Sequence, residues 1–164
     1  MKALFLDVDG VLNNHAKHAD SGICGIDAHC IDHLNHVIRQ TDCRLVISSA
    51  WRYMVLGESM RLGGFQYLLR THGLLWLRDD YSPIIGILDF DPESRPPYHR
   101  GALARRWLDK HLEVKHYAAV DDLSDEEPDF LGYGQFGIQL VQTFGMNGMT
   151  GSDAERLIDI LVRK

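Results

Sequence analysis

The sequence predicts a doubly wound α/β protein built on a parallel sheet. Three observations predict it: apolar runs of strand length recur along the chain, stretches with helical apolar spacing separate them, and acids or hydroxyls follow several of the runs at their C-terminal ends. At 164 residues and 45% apolar content, the chain is close to the roughly 150-residue size of one domain. We expect a single domain over residues 1–164 with one substantial core.

Residues 2–8 alternate poorly but are mostly apolar, as a strand buried on both faces would be, and Asp7 and Asp9 sit at its C-terminal end. A loop rich in Asn, His and Gly follows. Residues 27–40 then place Ile31, Leu34, Val37 and Ile38 at helical spacing, and an apolar run at 44–47 completes a β-α-β unit. An amphipathic stretch over 58–70 carries Met60, Phe65, Leu68 and Leu69, Gly73 marks a turn, and IIGIL at 84–88 reads as a strand. The segment DPESRPPYHR holds three of the five prolines, so it is predicted to be an irregular loop. It leads into a helix over 99–112 with Leu103, Trp107, Leu108 and Leu112 as its buried stripe. HYAAVDD and IQLVQT supply two further strands, and Thr150 or Ser152 caps a last helix carrying Leu157, Ile158 and Leu161.

Seventeen Lys and Arg against twenty-three Asp and Glu give a net charge of −6, which opposes non-specific adhesion to nucleic acid or to an anionic membrane. The N-terminus has no signal-peptide pattern and no run approaches 18 apolar residues, so a soluble, cytoplasmic protein without membrane contact is expected. Cys24, Cys30 and Cys43 are odd in number and lack C-x-x-C spacing, which argues against structural disulfides. His29, His33 and His36 lie near one another on the predicted helix and, with Cys24 or Cys30, invite a zinc reading. No recognised ligand spacing supports it, and a polar helix face is the simpler account.

A parallel sheet presents its strand-end residues along one rim, so Asp7, Asp9, Ser48, Asp121 and Asp122 are expected to meet around one ligand. In such a site Asp7 would attack phosphorus, and Asp9 would protonate the departing oxygen and later deprotonate water. Gly10 allows tight backbone passage that frees N–H groups for phosphate oxygens. Four carboxylates brought together repel one another unless a cation intervenes, and hard oxygen ligands point to Mg²⁺. Asp7 and Asp121 are its expected ligands, with Asp122 or Asp125 behind them. Ser48 would donate to a phosphate oxygen, and Arg100, near a helix N-terminus, would neutralise the transferring group. Ser49 is the alternative to Ser48, and Arg95, Arg105 or Arg106 to Arg100. Trp51 and Arg52 directly follow the serines and could stack on a base and touch a second phosphate. Packing of Trp51 on a neighbouring helix is the simpler reading, and the Tyr98–His99 pair is open to the same alternatives.

The order D-x-D-G-V-L after the first strand, Ser after the second, a basic residue opening a later helix and D-D after another strand resembles the haloacid dehalogenase (HAD) superfamily of phosphohydrolases. The resemblance runs from position 7 to 125. It implies a Rossmann-like sheet, Mg²⁺, an aspartyl-phosphate on Asp7, and an acid/base at Asp9 whose backbone carbonyl also binds the metal. Ser48, Arg100 and the Asp121–Asp122 pair match the second, third and fourth motifs. Two details depart from the commonest pattern: the third motif is more often Lys, and VDDLSD fits both an adjacent acid pair and a D-x-x-x-D spacing. ISSAWR, RGALARRWL and LVQTFGMNGMT are similar to the phosphatase domains of Swiss army knife RNA repair proteins and their stand-alone relatives. That similarity implies removal of a terminal phosphate from a nucleic acid.

The superfamily inserts substrate-selecting caps after the first motif or between the second and third. Here those intervals are about 40 and 50 residues and already hold core elements, so no large cap domain is expected. An open site would admit a phosphate at the end of a polymer or on a protein, while a small metabolite would need a partner or the DPESRPPYHR loop to enclose it. The expected activity is therefore a Mg²⁺-dependent phosphomonoesterase acting on a phosphorylated substrate, with a nucleic-acid end as a candidate and no obligate protein partner. Its rivals are a phosphotransferase or phosphomutase using the same site, and a non-catalytic phosphate-binding module on the same fold.

Overall fold

The structure is a computed structural model, and residues 1–14, 25–52, 61–76, 82–88, 100–124 and 128–163 are described, the side chains of 128–131 excepted. In chain order the elements are β1 (Lys2–Leu6), α1 (Ala28–Thr41), β2 (Arg44–Ile47), α2 (Leu62–Thr71), β3 (Ile84–Ile87), α3 (Arg100–Lys110), β4 (His116–Asp121), α4 (Pro128–Gln135), β5 (Gln139–Gln142) and α5 (Gly151–Val162). The five strands form one parallel sheet in the order β3-β2-β1-β4-β5.

Helices cover both faces, and β1 at the centre explains why its residues read as continuously apolar. Leu4 and Leu6 enter one core with Ile31, Leu34 and Val37 of α1, Phe65 and Leu69 of α2, and Leu157 and Leu161 of α5. Ala3 and Phe5 point the other way, into a core with Leu103, Ala104 and Leu108 of α3 and Tyr133 of α4. The period of two is present along β1, but both phases are buried. Among the described residues no cap domain interrupts this doubly wound architecture, and no helix is long and apolar enough to cross a membrane.

Local chemistry sets the helix ends. Asp27 caps α1 by accepting from the His29 N–H at 2.9 Å. Thr150, rather than Ser152, caps α5 through a reciprocal capping box with Asp153. His36 on α1 faces Glu155 on α5, Nε2 to Oε1 at 3.0 Å, so one of the three histidines has a hydrogen-bond partner across the helix interface. Cys30 and Cys43 are buried and in no disulfide among the described residues, and burial pushes the Cys43 thiol up to about 11. Cys24 and Met60 lie outside the described residues.

Two sequence expectations need correction. The helix predicted over 99–112 ends at Lys110, and Leu112 is 73% exposed instead of buried. The chain turns through His111 N–H to Leu108 C=O and Val114 N–H to His111 C=O, and Val114 takes the core position. Helix α4 was not expected at all. Its segment, PDFLGYGQ, carries Gly132 and Gly134, each costing about 1 kcal/mol of helix propensity relative to Ala.

Packing of α4 on α3 requires a glycine on the α3 side, at Gly101. A Cβ on Gly101 would lie 2.2 Å from the Gly132 carbonyl oxygen and 2.6 Å from the Tyr133 nitrogen, both backbone atoms. Neither can yield unless a helix moves. Gly101→Ala is therefore expected to cost about 1–3 kcal/mol in urea unfolding. Gly134→Ala, with nothing within 4 Å of its Cβ position, should instead be neutral or stabilising.

Candidate active site

Strand order reverses beside β1: the chain moves from β1 through β2 to β3 on one side, then returns to β4 and β5 on the other. Ligands of open parallel sheets bind outside the carboxyl ends of strands at such a switch point. Backbone bonds carry the parallel pairing past the strand ends: Asp7 N–H to Val120 C=O at 3.1 Å, Ser48 N–H to Leu6 C=O at 2.9 Å, and Thr143 N–H to Asp121 C=O at 2.9 Å. Residues distant in sequence are thereby held on one rim.

On that rim Asp7, Asp121 and Asp122 each offer a carboxylate oxygen, all within 4.8 Å of one another. Arg100, the first residue of α3, reaches them with Nη1 at 3.3 Å from Asp7 Oδ1 and 2.5 Å from Asp121 Oδ2. The Tyr133 hydroxyl donates to Asp121 Oδ2 at 3.4 Å. Burial raises the Asp7 carboxyl to about 7, with Asp121 adding to the rise and Arg100 opposing it. Burial likewise raises Asp121 to about 6 against the pull of Arg100. These are the signs of a site built for more positive charge than one guanidinium supplies.

Whether a divalent cation suits these residues is decided by their unsatisfied atoms. Asp121 Oδ1 is buried and accepts no hydrogen bond among the described residues, and Asp7 Oδ1, also without one, faces the Arg100 guanidinium at 3.3 Å. Buried carboxylate oxygens left without hydrogen bonds, and this close together, fit a small divalent ion.

Gly10 adopts φ +68°, and a Cβ there would lie 2.0 Å from Asp122 Oδ2. The Gly10 N–H donates to Asn13 Oδ1 at 2.7 Å, and the residue's missing side chain makes room for the Asp122 carboxylate. The Gly10 carbonyl accepts from Thr143 Oγ1 at 2.9 Å, which ties the loop after β1 to the end of β5.

The Asp9 carboxylate is not one of the three clustered acids, so the expectation of a metal ligand at Asp9 can hold only through its backbone carbonyl. Both side-chain oxygens are taken: Asn13 Nδ2 donates to Oδ1 and Trp51 Nε1 donates to Oδ2, each at 2.9 Å. Trp51 is 8% exposed with its ring 5.9 Å from that of Phe65, so it packs on α2 and is no base-stacking platform. Arg52 is buried too; its Nη1 donates to the Ser48 and Ser49 carbonyls at 2.5 and 3.1 Å. It braces the turn after β2 and does not present a second phosphate contact.

Ser48 is fully buried at the rim with no hydrogen bond to its Oγ, whereas Ser49 Oγ accepts from the Trp51 N–H at 3.2 Å. Arg105 pairs with Asp109 along α3, at 2.9 Å through its Nε, leaving Arg100 as the α3 arginine seen at the carboxylates. Arg95, Tyr98, His99 and Asp125 lie outside the described residues. Sequence reasoning missed Asn13, Tyr133 and Thr143. Only Asn13 left a trace, an amide four residues after Asp9 in a tight glycine turn.

A family model described as the HAD domain in Swiss Army Knife RNA repair proteins matches residues 3–154. The match runs from β1 into the first turn of α5 and includes every rim residue named above. No curated protein and no solved structure matches the chain.

Proposed function

The chain belongs to the family of HAD domains found in Swiss Army Knife RNA repair proteins, and from that premise we propose that it is a Mg²⁺-dependent phosphomonoesterase working through an aspartyl-phosphate. The observation that supports this most directly is the meeting of the Asp7, Asp121 and Asp122 carboxylates beside Arg100 at the switch point.

In this reading Asp7, Asp121 and the Asp9 carbonyl hold the ion, with Asp122 beside them. When bound, Mg²⁺ supplies charge that lets Asp7 stay ionised and draws electron density from the phosphoryl oxygens. An Asp7 oxygen attacks phosphorus, and the bond from phosphorus to the ester oxygen breaks with its electron pair on that oxygen. Asp9, protonated, gives its proton to the departing oxygen. Water then attacks the same phosphorus and yields a proton to Asp9. The bond from phosphorus to Asp7 breaks, freeing inorganic phosphate and restoring both carboxyl groups. Ser48 and Arg100 hold the phosphoryl oxygens throughout.

We assign the substrate to phosphate-terminated nucleic acid, because no cap domain encloses the rim among the described residues and the matched family model is drawn from RNA repair proteins. The test is a panel of phosphate-terminated RNA and DNA ends, nucleotides, sugar phosphates, phosphopeptides and an aryl phosphate, each with and without Mg²⁺. Mg²⁺-dependent release, fastest on polynucleotide ends, is expected. No release from any of them with Mg²⁺ present overturns the phosphatase, and a preference for sugar phosphates overturns the substrate class.

Metal and pH should act together on stability. Asp7 and Asp121 hold their protons more tightly folded than unfolded, so their contribution to metal-free stability is fully present below the unfolded value near 3.8 and is lost as pH rises through 6 to 7. Relative to an Asp7→Asn, Asp121→Asn double variant, the metal-free protein should therefore lose melting temperature between pH 4 and 7.5. Mg²⁺ competes with those protons, so its stabilisation should grow over the same interval, reaching about 2.7 kcal/mol at 100 times its Kd. Thermal melts with chelator and with Mg²⁺ at pH 5 and pH 8 check both signs.

A further inference from the structure

We propose that Trp51 and Asn13 are positioning residues for Asp9: a two-sided hydrogen-bond clamp that fixes the acid/base for proton transfer to the leaving group. The proposal rests on the phosphatase reading and adds to it the residues that aim one of its two carboxyl groups.

Asp9 stands apart from the other rim acids in how it is held. Asp7 and Asp121 each keep a buried oxygen without a hydrogen bond, whereas each Asp9 oxygen accepts one, at 2.9 Å, from a different segment of the chain. Asn13 comes from the loop after β1 and Trp51 from the turn after β2, 42 residues beyond Asp9. Two donors on opposite oxygens set the plane of the carboxyl group as well as its distance. Each oxygen retains a second lone pair, so the group can still carry and pass a proton while clamped.

Both donors are themselves held. Asn13 Oδ1 accepts from the Gly10 N–H at 2.7 Å, which fixes the amide so that its NH₂ faces Asp9. The Trp51 ring packs on Phe65, and its backbone N–H donates to Ser49 Oγ at 3.2 Å. An indole N–H only donates, so in this geometry Trp51 meets Asp9 as a donor and never competes for its proton. A tryptophan that only filled core space would not need its single polar atom aimed at a rim carboxylate. General acid catalysis depends on reach and angle, so a carboxyl group free to rotate would deliver its proton less often.

Leaving-group dependence separates positioning from mere structure. An alkyl phosphate, or the end of a nucleic acid, needs a proton on the departing oxygen; a dinitrophenyl phosphate does not. Single-turnover formation of phosphoenzyme should slow about ten-fold or more in Trp51→Phe with the alkyl ester and stay within about two-fold with the dinitrophenyl ester. Asn13→Asp keeps the acceptor for Gly10 while turning the donor facing Asp9 into an oxygen, and it should show the same asymmetry. Equal slowing on both esters, or no slowing on either, overturns the clamp.

A readout independent of turnover keeps this distinct from the phosphatase reading. The Trp51 indole N–H, assigned by its loss from the spectrum of Trp51→Phe, should be protected from hydrogen exchange in the intact protein and lose protection in Asp9→Ala. Unchanged protection in Asp9→Ala overturns the contact whether or not the protein hydrolyses phosphate. An inactive protein with Asp9-dependent protection would retain the contact and remove the proton-transfer role proposed for it.

Discussion

Asp7→Asn is expected to lower phosphate release by about 10⁴-fold or more, because the amide cannot form the acyl-phosphate on which both half-reactions depend. The fold should survive the change. Asp7 is 2% exposed, and burial with its neighbour Asp121 makes its ionisation costly in the absence of metal. An uncharged group of the same shape removes that cost, so the metal-free variant should melt higher than the parent at pH 7.5 while losing activity. Gains of this kind accompany the loss of function at strained sites. Steady-state release from an aryl phosphate, paired with a thermal melt, measures both. Activity within ten-fold of the parent would remove the covalent step.

Asp9→Asn is expected to cost about 10²–10⁴-fold, the range for losing a general acid or base, with a different kinetic shape. With an activated aryl ester, whose oxygen departs without help, Asp7 can still be phosphorylated. Water attack then lacks its base, and phosphoenzyme should accumulate. Acid-quenched protein from the reaction should carry close to one phosphate per chain, whereas Asp7→Asn should carry none. Turnover that is normal for both activated and alkyl esters would take Asp9 out of the proton-transfer role. The asparagine would keep one of the two donors, the Asn13 amide or the Trp51 indole, through its single oxygen and turn its NH₂ toward the other, so a thermal melt run beside the assay separates lost chemistry from lost stability.

The acids were legible in the sequence because strand-end chemistry is local. Asp7 follows Leu6 and Asp121 follows Val120, so finding two apolar runs was enough to place both carboxylates on one rim once the sheet was taken as parallel. Ser48 and Arg100 followed from the same logic, one just past β2 and the other opening α3. What the sequence did not disclose depends on pairings between distant segments. The Trp51 indole reaches Asp9 only because β1 and β2 are neighbours in register, Leu6 beside Ile47. From sequence alone the same tryptophan suited stacking on a base equally well. Helix α4 escaped for a related reason: Gly132 and Gly134 lower its local helix propensity, and its packing on Gly101 of α3 is a contact between distant segments. With α4 went Tyr133, the one hydroxyl seen to donate to Asp121.

The seam between α3 and α4 has a further consequence. Arg100 is adjacent in sequence to the glycine pressed onto the Gly132 carbonyl, and Tyr133 is adjacent to the carbonyl it presses against. The spacing of guanidinium, phenol and aspartate is thus gauged by main chain resting on main chain, with no rotamer in between to absorb an error. A wedge driven into that joint from the far side of α4 would reach the Arg100 and Tyr133 contacts to Asp121 before it disturbed either core.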